Sequence, residues 1–397
     1  MTVTAAQGFT AAGIAAGIKE NGNPDLALVV NNGPRLAAAG VFTSNRVKAA
    51  PVHWSEQVLR GGAVSAVVLN SGGANACTGP KGFQDTHATA EQAAAVLTAL
   101  GGAEHNAGEI AVASTGLIGV LLPMDKLLPG VETAARALSE DGGEAAAVAI
   151  KTTDTVHKTA VVTWGSPRTE SGGGWTVGGM AKGAGMLAPG LATMLVVLTT
   201  DADLDSATLD KALRAATRTT FDRVDSDGCM STNDTVLLLA SGASGEVPAY
   251  DAFAEAVRMV CDDLARQLIG DAEGAGKDIR IEVIGALTED DAVEVGRSIA
   301  RNNLLKCAIH GEDPNWGRVL SAIGTTRASF DPDRLNVAIN GVWVCRNGSV
   351  GEDRDLVTMK DREVRITADL AAGSESAVIW TNDLTAEYVH ENSAYSS

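Results

Sequence analysis

Short apolar blocks recur along the chain, separated by alanine-rich stretches whose apolar residues return at helical spacing. Residues 63–69 read as a strand that ends in the turn Asn70-Ser-Gly-Gly-Ala-Asn75, and 87–100 as an alanine-rich helix. Further strands are expected at Ile110–Ser114, 160–164, Thr235–Ala240, 279–284 and 335–344. Helices are expected at 209–219, 252–269 and 292–302, each with one apolar face. Residues 194–198 form a short apolar block with two β-branched members, approached by Gly183, Gly185, Pro189 and Gly190. Residues 165–174, with three consecutive glycines, read as a surface hairpin loop. Alternating short strands and helices point to an α/β layered architecture.

Composition narrows this picture. A chain of 397 residues that is 45% hydrophobic can fill two domains or one large one. Aromatic residues are only 4% against 44 glycines, which favours thin strands and many tight turns. The formal net charge of −18, with no Lys/Arg cluster, argues against nucleic acid as a partner, because a polyanion would be repelled. Cys77, Cys229, Cys261, Cys307 and Cys345 are scattered with no CxxC pair, so neither a zinc site nor a disulfide framework is suggested. The start has no basic or apolar leader region, and no apolar run nears the ~20 residues that span a bilayer. The expectation is a soluble cytoplasmic protein with small-molecule substrates and no membrane partner.

Several ready-made mechanisms are missing. Gly270-Asp-Ala-Glu-Gly-Ala-Gly276-Lys277-Asp278 has the wrong glycine spacing for a phosphate loop, and Asp278 stands where Ser or Thr would hold magnesium. No Gly-x-Ser-x-Gly elbow and no Gly-x-Gly-x-x-Gly after a strand occurs, and the six histidines lack metal-ligand spacing. A serine–histidine triad or a metallohydrolase is thus unsupported, which favours, for any enzyme built from this chain, a base other than histidine. Thr193, at a loop-to-strand junction, offers another route. If the Ala192–Thr193 bond were cut, Thr193 would carry a hydroxyl nucleophile and an α-amine with an ordinary pKa of about 7.7–8.0, suited to act as its base. The competing reading is a plain core-strand threonine. Thr115 and Gly116 follow an apolar strand and could offer a hydroxyl and a backbone N–H to a developing oxyanion, or form an ordinary turn. Lys182 and Glu273 could meet opposite charges on a substrate, or be solvated surface groups; Thr152 and Thr153 are equally ambiguous.

Taken together, these residues resemble the ornithine acetyltransferase family of arginine biosynthesis, whose self-cleaving precursors carry a Lys-Gly-x-Gly-Met…Ala-Thr-Met-Leu junction like 182–195 here. The likeness extends through Asn70-Ser-Gly-Gly-Ala-Asn-Ala-Cys77, Ser114-Thr-Gly-Leu-Ile-Gly119, Thr152-Thr-Asp-Thr155, Ser231-Thr-Asn-Asp-Thr235, Asp271-Ala-Glu-Gly274, Asp313-Pro-Asn-Trp-Gly-Arg318 and Asn392-Ser-Ala-Tyr-Ser-Ser397. The resemblance implies a layered α-β-β-α sandwich like that of amino-terminal-nucleophile enzymes over 1–278, with a smaller C-terminal α/β domain at 279–397 whose tail reaches the active site. It implies cleavage between Ala192 and Thr193 into chains 1–192 and 193–397, assembled as a heterotetramer of two each. Thr193 would be the nucleophile, Thr115 and Gly116 the oxyanion hole, and Thr152, Lys182, Glu273, Asn392 and Ser397 the substrate-binding residues. The implied reaction moves acetyl from N-acetylornithine to glutamate through an acyl-threonine, without metal or organic cofactor, and with acetyl-CoA as a possible co-substrate. A monofunctional ornithine acetyltransferase and a self-cleaving aminopeptidase or amidase are the alternatives. Two positions depart from the family pattern: Gly190 in the junction, and Lys151, where an apolar residue is expected. Lys151 either sits at the mouth of the pocket and alters amino-acid preference, or occupies an exposed turn.

Overall fold

Strands with both faces buried dominate the first two-thirds of the chain, and their alternate residues belong to different cores. In Leu195–Thr200 and Thr235–Ala240, Val196, Leu198, Val236 and Leu238 face one cluster, while Leu195, Val197, Leu237 and Leu239 face another. The period of two therefore sorts one apolar run into two layers of packing. The structure, a computed structural model, describes residues 2–101, 104–165, 173–188 and 194–394.

Two sheets stack face to face. One has the order Phe9–Ile14, Leu26–Asn31, Ala66–Asn70, Ile110–Ser114. The other has the order Ala37–Phe42, Thr235–Ala240, Leu195–Thr200, Trp175–Lys182, Lys158–Trp164. Between them Ala27, Val29, Val67 and Leu69 pack against Met180, Leu195, Val197 and Leu237. The helices Ser206–Thr219 and Tyr250–Gly270 cover the outside of the five-stranded sheet through Leu209, Leu213, Phe253, Val257 and Leu264. The helices Gly79–Ala99 and Met124–Arg136 cover the other sheet through Ala90, Ala93, Leu97, Leu127 and Val131. This is the expected α-β-β-α sandwich. Each sheet holds one parallel pair, Ala66–Asn70 with Ile110–Ser114 and Leu195–Thr200 with Thr235–Ala240. Parallel neighbours need a long crossover, and a covering helix supplies it in both cases.

A third, six-stranded sheet starts at Asp278 and runs to Asn382, with Asp278–Ala286 beside the edge strand Glu375–Asn382. Its own core, Ile281, Val283, Ile366 and Ile379 among others, packs against Val295 and Ile299 of the helix Glu289–Ala300. The helix Ala386–Ala394 then returns to the sandwich, where the Thr385 hydroxyl donates to the Gly274 carbonyl at 2.6 Å. Among the described residues no helix is long and apolar enough to cross a membrane.

The single strand expected at 335–344 is a hairpin of Asn336–Ile339 and Val342–Arg346. Asn340 and Gly341 both have positive φ, 47° and 87°, and turn the chain, as an Asn-Gly pair between apolar runs does. The helix expected at 87–100 begins earlier, at Gly79, with Pro80 in its first turn, where a missing N–H costs nothing. Lys158–Trp164 and Trp175–Lys182 pair antiparallel in the register Trp164↔Trp175, flanking the loop expected at 165–174; residues 166–172 lie outside the described part.

Candidate active site

One partly open cavity of about 110 Å³ gathers residues from distant parts of the chain: Thr115, Gly116, Thr152, Lys182, Glu273 and Asn392 all line it. Thr193, Ala192 and Ser397 lie outside the described residues. Met194 and Leu195 lead into the strand Leu195–Thr200, and Leu195 pairs directly with Lys182.

The Thr115–Gly116 turn is held from three sides. The Thr115 N–H donates to Asn70 O at 2.9 Å, and its carbonyl accepts from Gly73 N at 3.0 Å. The Asn233 side-chain amide donates to Ser114 O at 2.8 Å and to Ala74 O at 2.6 Å. Gly116 has φ +131°, and a Cβ there would lie 2.7 Å from Gly73 N, so only glycine fits against the 70–75 turn. Among the described residues the Gly116 N–H has no acceptor, which leaves it for a ligand or solvent.

Lys182 ends the strand Trp175–Lys182 and is buried, with Nζ donating to Thr115 Oγ1 at 3.4 Å. Burial holds its ammonium below the usual lysine range, against the pull of Asp154, Asp234 and Glu273. Asp154 is its counter-charge. Burial alone would raise that carboxyl, but Lys182, Lys158 at 2.7 Å and the Gly183 N–H at 2.6 Å outweigh it and hold it at about 2. Lys158 also meets Asp271 at 2.6 Å, so one buried ammonium joins two carboxylates, and the Lys182 charge acts on Asp154 without an ion-pair contact. The Thr152 N–H donates to Asp154 Oδ2 at 3.0 Å, tying the 152–155 turn to the same anchor.

Glu273 follows the helix Tyr250–Gly270; its N–H donates to Ala184 O at 2.9 Å. A Cβ on Gly185 would fall 2.4 Å from Glu273 Oε2, so the missing side chain admits the carboxylate. Asn392, exposed on the C-terminal helix, donates from Nδ2 to Glu273 Oε2 at 2.9 Å. Lys151 lines neither this cavity nor its neighbour; its Nζ turns to Thr155 O at 3.3 Å.

The cavity also takes in Ser231, Thr232 and Asn233, to which the sequence reading assigned no role. With Asp234 they form a buried polar run immediately before the apolar strand Thr235–Ala240. That run was the available signal, since buried polar residues in series must find partners in a network. Asp154 lies in another polar run, 152–155, whose sequence carries no sign of which member is buried. Among the described residues no group of histidines, cysteines and carboxylates is placed to hold a metal.

The ArgJ family model matches residues 10–397. The "arginine biosynthesis bifunctional protein ArgJ" of Streptomyces avermitilis is 82% identical over 397 residues, covering all of both chains. That of Thermobifida fusca is 62% identical over all of both chains. A crystal structure of ornithine acetyltransferase complexed with ornithine, from Mycobacterium tuberculosis, is 58% identical; the match covers 49% of this chain and 96% of that one, with a TM-score of 0.45. With the family model and these full-length relatives agreeing, the chain belongs to the ArgJ family of arginine biosynthesis.

Proposed function

We propose that this chain cuts itself between Ala192 and Thr193 and then carries acetyl from N-acetylornithine to glutamate on the freed threonine. Family membership supports the overall reaction. The observation that carries the mechanism is the meeting of the Thr115 hydroxyl, the open Gly116 N–H and buried Lys182 in one cavity, on a strand paired with the one that follows Thr193. Amide cleavage needs a nucleophile, a base near the working pH, and donors where the oxyanion forms.

In this reading the Thr193 α-amine takes the hydroxyl proton as Oγ attacks the acetyl carbonyl. Gly116 N–H and Thr115 Oγ–H meet the oxyanion, and the amine returns the proton to ornithine as the C–N bond breaks. The glutamate amine then attacks the acetyl ester in the reverse sequence, giving N-acetylglutamate. Glu273, steadied by Asn392, offers negative charge to a substrate ammonium; Lys182 and Thr152 serve the amino-acid end, with Ser397 as a further contact. The same acyl-threonine is loaded from acetyl-CoA in the second of two activities, with no resident cofactor or metal. The working unit is a cytoplasmic heterotetramer of two 1–192 and two 193–397 chains.

Denaturing mass spectrometry of wild type and Thr193→Ala tests the cut. Fragments of 192 and 397 − 192 = 205 residues are expected in wild type only; an intact wild-type chain overturns the mechanism. Glutamate acetylation from each donor then separates one activity from two. Acetyl passing to water in preference to glutamate would identify an amidase instead.

A further inference from the structure

Resting on that reading, a second question is what fixes the distance between the nucleophile and the oxyanion donors, which come from different sheets. Two adjacent residues touch both sides. Asn233 grips the donor side through Ser114 O at 2.8 Å and Ala74 O at 2.6 Å. Asp234 grips the nucleophile side: its Oδ1 accepts the Met194 N–H at 3.2 Å, and that amide joins residue 194 to Thr193. The Met194 carbonyl is held as well, by the Thr235 N–H at 3.1 Å. The Asp234 carbonyl in turn accepts from Thr43 N at 3.0 Å, so the bridge is anchored in its own sheet.

Asp234 is wholly buried, and its Oδ2 has no hydrogen-bond partner among the described residues. Burial pushes this carboxyl well above the usual range, with the Met194 N–H, the Ser231 and Thr43 side chains and the Lys182 ammonium opposing the push without reversing it. Whatever its charge, the acceptor oxygen of Asp234 holds the first described amide of the strand that follows Thr193.

We propose that Asp234 is a positioning residue for acyl transfer: with Asn233 it forms a bridge one peptide bond long that sets the nucleophile strand against the Thr115–Gly116 turn. It acts through Met194 and the backbone, and it makes no bond to substrate.

The test compares Asp234→Leu and Asp234→Asn with wild type, reading self-cleavage by mass, thermal midpoint, and kcat and KM for N-acetylornithine. Losing the clamp lowers kcat about tenfold or more in the Leu variant, with KM within about twofold, and slows cleavage. The Asn variant keeps an acceptor oxygen for the Met194 N–H and brings kcat back to within about threefold. A folded Leu variant that cleaves and turns over like wild type overturns the proposal. An Asn variant that folds but fails to cleave overturns it equally, and that outcome stands even if the Leu variant does not fold. A wild-type chain that neither cleaves nor transfers acetyl sinks the functional reading itself, a different failure.

Discussion

The two walls of the cavity are built on opposite plans. On one side Thr115, Lys182 and Asn233 are buried and, with Asp234 behind them, joined to several strands by hydrogen bonds. On the other, Glu273 is half-buried and meets Asn392 on an exposed helix that bears no buried residue. The first wall is set before any ligand arrives, at the cost of burying charge; the second lies where water competes for every contact. Chemistry that tolerates little displacement of the donors belongs to the first, and recognition that admits two amino acids in turn suits the second.

Substitutions can break this contrast or sharpen it. The largest effect is expected from Lys182→Met, which strips a buried carboxylate of one partner; loss of about 3–5 kcal/mol in urea unfolding is expected, together with loss of acetyl transfer. Gly116→Ala should be nearly as severe for activity while sparing the fold more, since its Cβ meets Gly73 N at 2.7 Å and displaces the open N–H. A fall of about 10²–10³ in kcat is expected from steady-state assays with N-acetylornithine.

The ion-pair wall should also show in acid. Asp154 sits at about 2, below its ordinary 3.8, so its contribution is present above pH 3.8 and is lost as pH falls toward 2. The urea midpoint of wild type should therefore drop through that window, and Asp154→Asn should be less stable at neutral pH with a flatter acid limb. The smallest effect belongs to the exposed wall: Asn392→Ala should raise KM about fivefold, leaving kcat and the thermal midpoint near wild type. If Asn392→Ala instead destabilised the protein as Lys182→Met does, the contrast between the walls would be gone.

The same contrast governs what the sequence made legible. Apolar runs such as Thr235–Ala240 and Ile110–Ser114 are read to the residue, because both faces are buried and nothing interrupts the run. Strands made of alanine and glycine, Phe9–Ile14, Ala37–Phe42 and Trp175–Lys182, escape, since small residues carry little β signal however deeply they are buried. The helix Met124–Arg136 escapes for another reason: Pro129 lies inside it, and tertiary packing of Leu127 and Val131 overrides the breaker. The cavity's named residues could be picked out by motif. The groups that hold them in place, Asp154, Asn233 and Asp234, could not, because burial and partners are properties of the fold and each alone looks like a surface polar residue.

The strand order of the five-stranded sheet bears on what a cut at 192–193 does to the molecule. Leu195–Thr200 and Thr235–Ala240 follow the cut, yet they lie between Ala37–Phe42 on one side and Trp175–Lys182 on the other, which precede it. The two polypeptides would be interleaved, each supplying the missing neighbours of the other. Pulled apart in denaturant, neither could rebuild its sheet alone, and recovery would become a second-order encounter that slows on dilution. An uncut chain would refold at a rate indifferent to concentration. Self-cleavage in such an architecture is a one-time maturation step: the product holds its shape by a history it cannot easily repeat.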